Sequence, residues 1–240
     1  MLIFMLIILS IFAPSLAQAA CLGTDKLCIM EEIKANAPKI EQQSWRDKTY
    51  RELAKSYTTE GQEDKALLLI DLIKTPDTKA MTIRGIGMAA ADKKWTDKAR
   101  YDALFKNLSV AAEKIDHPPS YAIAYTYIAM AQAFAGDDAG AMATAKGMEN
   151  EALRNKAFGE SAEIQAERGD YNAAMTSIAE INSLAFRNKA YATIADIFTK
   201  FGEVEKAYQS ASKIDNAYAK AQAFQHIVNY GNEEEALGKD

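Results

Sequence analysis

Arg154-Asn155-Lys156-Ala157-Phe158 returns 33 residues later as Arg187-Asn188-Lys189-Ala190-Tyr191. The same interval separates Gly136, Gly169 and Gly202, and Gly231 follows 29 residues on. Each of these glycines is followed five places later by alanine, at Ala141, Ala174, Ala207 and Ala236. Gly61 and Ala66 have that spacing upstream, and 33 residues beyond them Lys94 and Ala99 hold the two places. Recurrence at a fixed interval of a few tens of residues marks stacked supersecondary units. The step from Ala99 to Ala141 is 42 residues, so an insertion is expected there, and His117-Pro118-Pro119-Ser120 is its expected location.

Working outward from the glycines gives the unit. Seven residues before each stands a small residue, Ala54, Gly87, Ala129, Ala162 or Ala195; eleven before stands a bulky one, Tyr50, Ile83, Tyr125, Phe158 or Tyr191. Seven after the alanine comes Ile73, Met148, Ile181 or Ile214. Offsets of 4, 7 and 11 share one face of an α-helix. The glycine ends the first helix because positive φ costs it little. Each unit therefore reads as a helical hairpin whose small residues admit a close neighbour. Its surplus apolar face is buried by stacking, which gives an all-α solenoid. Gly85 and Gly87 lie inside such a helix with no strand before them, and read as a helix–helix contact rather than a phosphate loop.

These residues resemble the tetratricopeptide repeat. Leu53, Ile86, Ile128 and Ile194 stand just before the small residue, where that family has Leu. The resemblance runs from about Arg46 to the C-terminus over six units, the last one shortened. The aromatic near the end of the first helix is present as Tyr57 and Phe198 but is Ala90, Gln132 and Gln165 elsewhere. The proline that closes each repeat is nearly absent, with Pro76 the nearest case. The resemblance implies a right-handed superhelix of about six hairpins over 46–240, with a concave groove that holds a peptide or a partner helix. Carried onto this chain, the groove positions are Lys48, Arg51, Lys55, Met81, Arg84 and Met88, then Ile123, Thr126 and Met130, then Lys156, Glu163, Lys189 and Asp196. The groove is thus basic at its N-terminal end, apolar and methionine-rich in the middle, and mixed beyond. The family's clamp for a peptide carboxylate needs asparagine at two groove places, and Lys55 and Met88 stand in that series instead.

Residues 1–19 read as a signal peptide: no charge, an apolar run from Leu2 to Ala13, and Ala17-Gln18-Ala19 before the expected cleavage after Ala19. The stretch has no Lys or Arg ahead of it, so a retained membrane anchor is one alternative, and a lipoprotein lipidated at Cys21 is another. Export implies an oxidising compartment. Cys21 and Cys28 are the only cysteines, and they are expected to close a small disulfide loop contributing about 2–3 kcal/mol. Residues 20–45 then comprise this loop and a capping helix over 29–41. At the other end 232–237 reads as a short polar last helix.

The 28 Lys+Arg against 33 Asp+Glu give a net charge of −5, which argues against a general nucleic-acid binder. No Gly-x-Ser-x-Gly, His-Glu-x-x-His or phosphate-loop motif occurs. His117 and His226 read as loop and packing residues, Trp45 and Trp95 as packing residues. No enzyme activity, cofactor, metal or membrane association after cleavage is expected. The expected function is a periplasmic or secreted, non-enzymatic scaffold that binds a protein or peptide in its groove. Its alternatives are an assembly factor of an envelope complex that uses another face, and a peptidoglycan- or glycan-binding protein.

Overall fold

The computed structural model describes residues 21–94 and 97–230, and among these every regular element is helical. The leader over 1–19, Trp95 and the last helix expected over 232–237 lie outside the described residues. The elements are α1 (Lys26–Asn36), a short 3-10 turn (Ala37–Lys39), α2 (Gln43–Thr59), α3 (Glu63–Leu72), α4 (Pro76–Asp92), α5 (Lys98–Glu113), α6 (Pro118–Phe134), α7 (Asp138–Lys146), α8 (Glu151–Glu167), α9 (Tyr171–Ala179), α10 (Leu184–Lys200), α11 (Val204–Ser212) and α12 (Ala217–Asn229). None of these helices is long and apolar enough to cross a membrane. The N-terminal helix begins earlier than the expected 29–41, because Asp25 accepts from the backbone N–H of Cys28 and starts the helix inside the Cys21–Cys28 disulfide loop.

Helices α2, α4, α6, α8 and α10 are each 17 residues long, about 25 Å. Each packs on the next of its kind, α10 packs on α12, and each is followed by a partner helix that packs back on it. Gly61, Gly136, Gly169 and Gly202 end long helices at φ of 73°, 84°, 84° and 72°. Lys94 holds the equivalent place at φ 48°, the only non-glycine with positive φ among the described residues. In both Gly-Asp pairs the aspartate then starts the next helix: Asp137 accepts from Gly140 N–H and Asp170 from Ala173 N–H. The small residues Ala54, Gly87, Ala129, Ala162 and Ala195 are all buried, as are Ile73, Met148, Ile181 and Ile214.

The insertion is not at His117–Ser120. Pro118 opens α6 as Pro76 opens α4, and the extra residues lengthen α5 to 16 residues against nine in α7, α9 and α11. Ala99 accordingly stands exposed in the first turn of α5, unlike Ala66, Ala141, Ala174 and Ala207, which are fully buried. Leu108, seven before the buried Ile115, takes the core place in α5.

The recurring Arg-Asn pair fastens the hairpins together. Arg46, Arg154 and Arg187 donate to the carbonyls of Ile40, Met148 and Ile181, each six residues back. The next residue reaches forward across its own hairpin: Asn155 accepts from Asn182 N–H and Asn188 from Asp215 N–H. Asp47 takes this role in α2, accepting from the backbone N–H groups of Lys74 and Thr75 and from the Thr75 hydroxyl. Gln132 and Gln165, which replace the aromatic residue, are explained the same way. Thr144 donates to the carbonyl oxygen of Gln132, and Ser177 to that of Gln165, so each glutamine ties a long helix to its partner.

Ser161 is the exception in this core. It stands where α2, α4, α6 and α10 carry Leu53, Ile86, Ile128 and Ile194, it is buried, and its hydroxyl has no hydrogen-bond partner. Ser161→Ala is therefore expected to stabilise the chain by about 1 kcal/mol, because an unsatisfied buried hydroxyl is removed. A thermal melt of the variant at or below that of wild type would contradict this.

Candidate functional site

The twelve groove positions carried over from the resemblance, with Ile123 beside them, do not form one continuous surface. Lys48 and Lys55 line two clefts between α1 and α2, Lys48 beside Ile33 and Trp45, Lys55 beside Lys26 and Met30. The Lys48 ammonium also lies 5.3 Å from the centre of the Trp45 ring. Arg51 pairs with its neighbour Glu52 at 2.7 Å. Arg84 is half-buried, its guanidinium 5.5 Å from the ring centre of Tyr127 on the next long helix. Met88 and Ile123 pack against the core, and Met81 and Met130 are half-buried. Thr126 is a correction: it is 1% exposed and donates to the carbonyl of Ala122, so it is a packing residue that no ligand reaches. Asp196 pairs with Lys200 at 2.6 Å and lies 3.1 Å from Nδ1 of His226 on α12.

Three of the positions do converge. Lys156 and Glu163 on α8 and Lys189 on α10 line one open cavity of about 290 Å³ between the two helices, together with Gly159, Glu160, Phe186, Ala190 and Thr193. Gly159 leaves room at its floor: a side chain there would first meet Ile181 at 4.0 Å. The Glu163 carboxyl is held above its ordinary range, first by burial and then by the neighbouring carboxylates of Glu160 and Glu167, with the Lys189 ammonium opposing them. A cationic group entering the cavity would relieve that carboxylate, and the two lysines would receive an anionic one.

The residues missed here share a register. The place occupied by Glu52, Tyr127, Glu160 and Thr193 follows directly on that of Arg51, Arg84, Thr126 and Gly159; Glu52 is exposed and Thr126 buried, and the other six are half-buried. A difference of one residue is 100° around a helix, and the spacing of residues in sequence alone does not say which of two adjacent places faces outward.

Outside this face, His117, Ser120 and Asp77 form a chain in which Ser120 sits in the middle: its hydroxyl donates to Asp77 and lies 2.6 Å from Nδ1 of His117. Ser120 is fully buried and its proton is given to the carboxylate, so the order is wrong for an activated nucleophile. The chain instead ties the start of α6 to the start of α4, in the part of the molecule where Ala80 and Ala122 replace the Asn/Asp of the other hairpins. Cys21 and Cys28, with Cα atoms 5.6 Å apart, are bonded to each other and offer no thiolate to a metal beside Glu32. No protein-family model matches the chain, and no curated protein and no solved structure is significantly similar to it.

Proposed function

We propose that the chain is an exported, non-enzymatic scaffold, a right-handed tetratricopeptide-like solenoid that binds an extended segment of a partner protein on the face of its long helices. The observation that carries this reading is the cavity between α8 and α10, where Lys156, Glu163 and Lys189 meet around an exposed Phe186. A peptide suits it better than a small metabolite. The site is an open notch between two long helices, its charges are of both signs, and its aromatic rim matches an apolar side chain flanked by charged ones. Rigid helices position all of these groups, so little ordering cost falls on the protein. Export is supported by the uncharged leader sequence and by the Cys21–Cys28 disulfide, a bond that persists in oxidising compartments.

The test is crosslinking mass spectrometry in intact cells of the source organism with a photoreactive residue in place of Thr193. A partner crosslinked there, and lost when Lys156 and Lys189 are both changed to Glu, is the expected result. Lys213→Glu, on the exposed side of the connection after α11, is expected to leave the crosslink intact. Crosslinks unaffected by the double change would overturn the groove reading and favour another face.

A further inference from the structure

A second, roomier cavity lies apart from the notch between α8 and α10. It occupies about 570 Å³ between the start of α6, the last turn of α7 and the loop into α8, and its walls include Pro118, Tyr121, Tyr125, Gly147, Glu149 and Leu153. Its origin is legible in the recurring pattern. Hairpin α2–α3 carries Leu68 and Leu72 at the places held here by Ala143 and Gly147; hairpin α8–α9 carries Thr176 and Glu180, and hairpin α10–α11 carries Gln209 and Lys213. Tyr121 likewise stands where Arg46, Arg154 and Arg187 clamp a backbone carbonyl. One hairpin thus carries two smaller residues and lacks a guanidinium at a single spot, where Tyr121 stands with its ring centre 5.0 Å from that of Tyr125.

The chemistry of the walls selects a ligand. Glu149 is the only charged lining residue, and the Tyr125 hydroxyl points toward a second carboxylate, Glu113, at 3.4 Å. Of the nearby cations, Lys146 pairs with Glu180 at 2.9 Å, and Arg154, which keeps its charge, donates to the Met148 carbonyl at 2.8 Å. Some of the donors that an anion would use are withdrawn. Pro118 and Pro119 bring no N–H to the first turn of α6, and Asn150 already accepts from Leu153 N–H at the start of α8. The end of α7 presents its C-terminal carbonyls, the negative end of the helix. Two aromatic faces and a carboxylate, with no Lys or Arg among the described lining residues, favour a positive charge on an apolar body. The volume lies in the range of small-ligand sites.

We propose that this cavity binds a small organic cation, an amine carried on an aromatic or short aliphatic body, independently of whatever occupies the long-helix face. The apolar body lies against Tyr121, Tyr125, Met148 and Leu153, and the ammonium sits toward Glu149.

The full chain is titrated by calorimetry with phenethylammonium, with 2-phenylethanol and 3-phenylpropionate as neutral and anionic probes of similar shape. Phenethylammonium is expected to bind at least tenfold more tightly than 2-phenylethanol, and 3-phenylpropionate not at all. Glu149→Gln is expected to remove most of the difference between cation and alcohol. Gly147→Leu restores the residue that Leu72 provides in the first hairpin. Gly147 has an ordinary helical φ of −72°, and an added Cβ would meet nothing closer than 3.6 Å, so the variant should fold. It is expected to abolish binding of all probes, and Ala143→Leu serves the same purpose should the first variant melt early. Equal or tighter binding of the alcohol, no binding of any probe at millimolar concentration, or binding unchanged in both filled variants would each overturn the proposal.

Discussion

Asp47→Ala is expected to destabilise the N-terminal hairpins by about 3 kcal/mol, because it removes a buried charged acceptor that holds four donors. Asp47 is fully buried and accepts from Lys74 N–H, Thr75 N–H, the Thr75 hydroxyl and the Gln43 amide. It is the one charged member of the series that Asn155 and Asn188 continue, and it anchors the connection on which α4 begins. Its pKa is lowered from the ordinary 3.8. Burial alone would raise it, but the hydrogen bonds from the Thr75 hydroxyl, the two backbone N–H groups and Gln43 outweigh that effect. A carboxyl held low in the folded state contributes stability in full above its ordinary pKa, and that contribution is lost as the pH falls through the folded value. Denaturant unfolding should therefore show wild type losing stability below about pH 4. Asp47→Asn, which keeps one acceptor oxygen as at Asn155, should lose less than Asp47→Ala at pH 7 and show a flatter acid limb. Parallel acid limbs for wild type and Asp47→Asn would sink this assignment. In a stacked array the loss should appear first at the α2–α4 end, which hydrogen exchange would locate.

Gly87→Leu is the second large effect expected, about 3 kcal/mol or more, since α4 and α6 would have to separate. A Cβ at Gly87 would lie 2.8 Å from the Cβ of Ala131, an atom fixed to the α6 backbone, and within 3.8 Å of Leu108 and Phe105 on α5. Gly85, two residues earlier on the same helix, supplies the control. A Cβ there meets only the Lys55 Cβ at 3.9 Å. Gly85→Ala should thus stabilise by about 0.5–1 kcal/mol through helix propensity alone. Opposite signs at Gly85 and Gly87 in equilibrium unfolding would establish that close packing of α4 on α6 requires the glycine; losses of similar size at both would point to a general intolerance of side chains in this helix.

The sequence by itself determined that the described chain is helical and where four of its long helices end at glycine. The 33-residue interval, the glycines that turn positive and the buried small residues before them follow from helix geometry and from glycine's lack of a Cβ, both of which are local. The pairing of Cys21 with Cys28 was legible for a similar reason, since only two cysteines exist and they lie close in the chain. Tertiary structure decided the rest, because it depends on which residues meet across helices. The extra residues between the second and third hairpins went into α5 because the Pro118 start of α6 is a regular helix opening, a fact that residue spacing does not reveal. Thr126 turned inward although the resemblance put it in the groove, because a one-residue change in register rotates a side chain by 100°, and only the packing partner fixes the choice. The Arg-Asn pair that first exposed the period proved to be a fastening between hairpins, since its carbonyl and N–H partners belong to loops that no motif names. The cavity beside Tyr121 and Gly147 exists only because three small or altered positions on α6 and α7 come together in space.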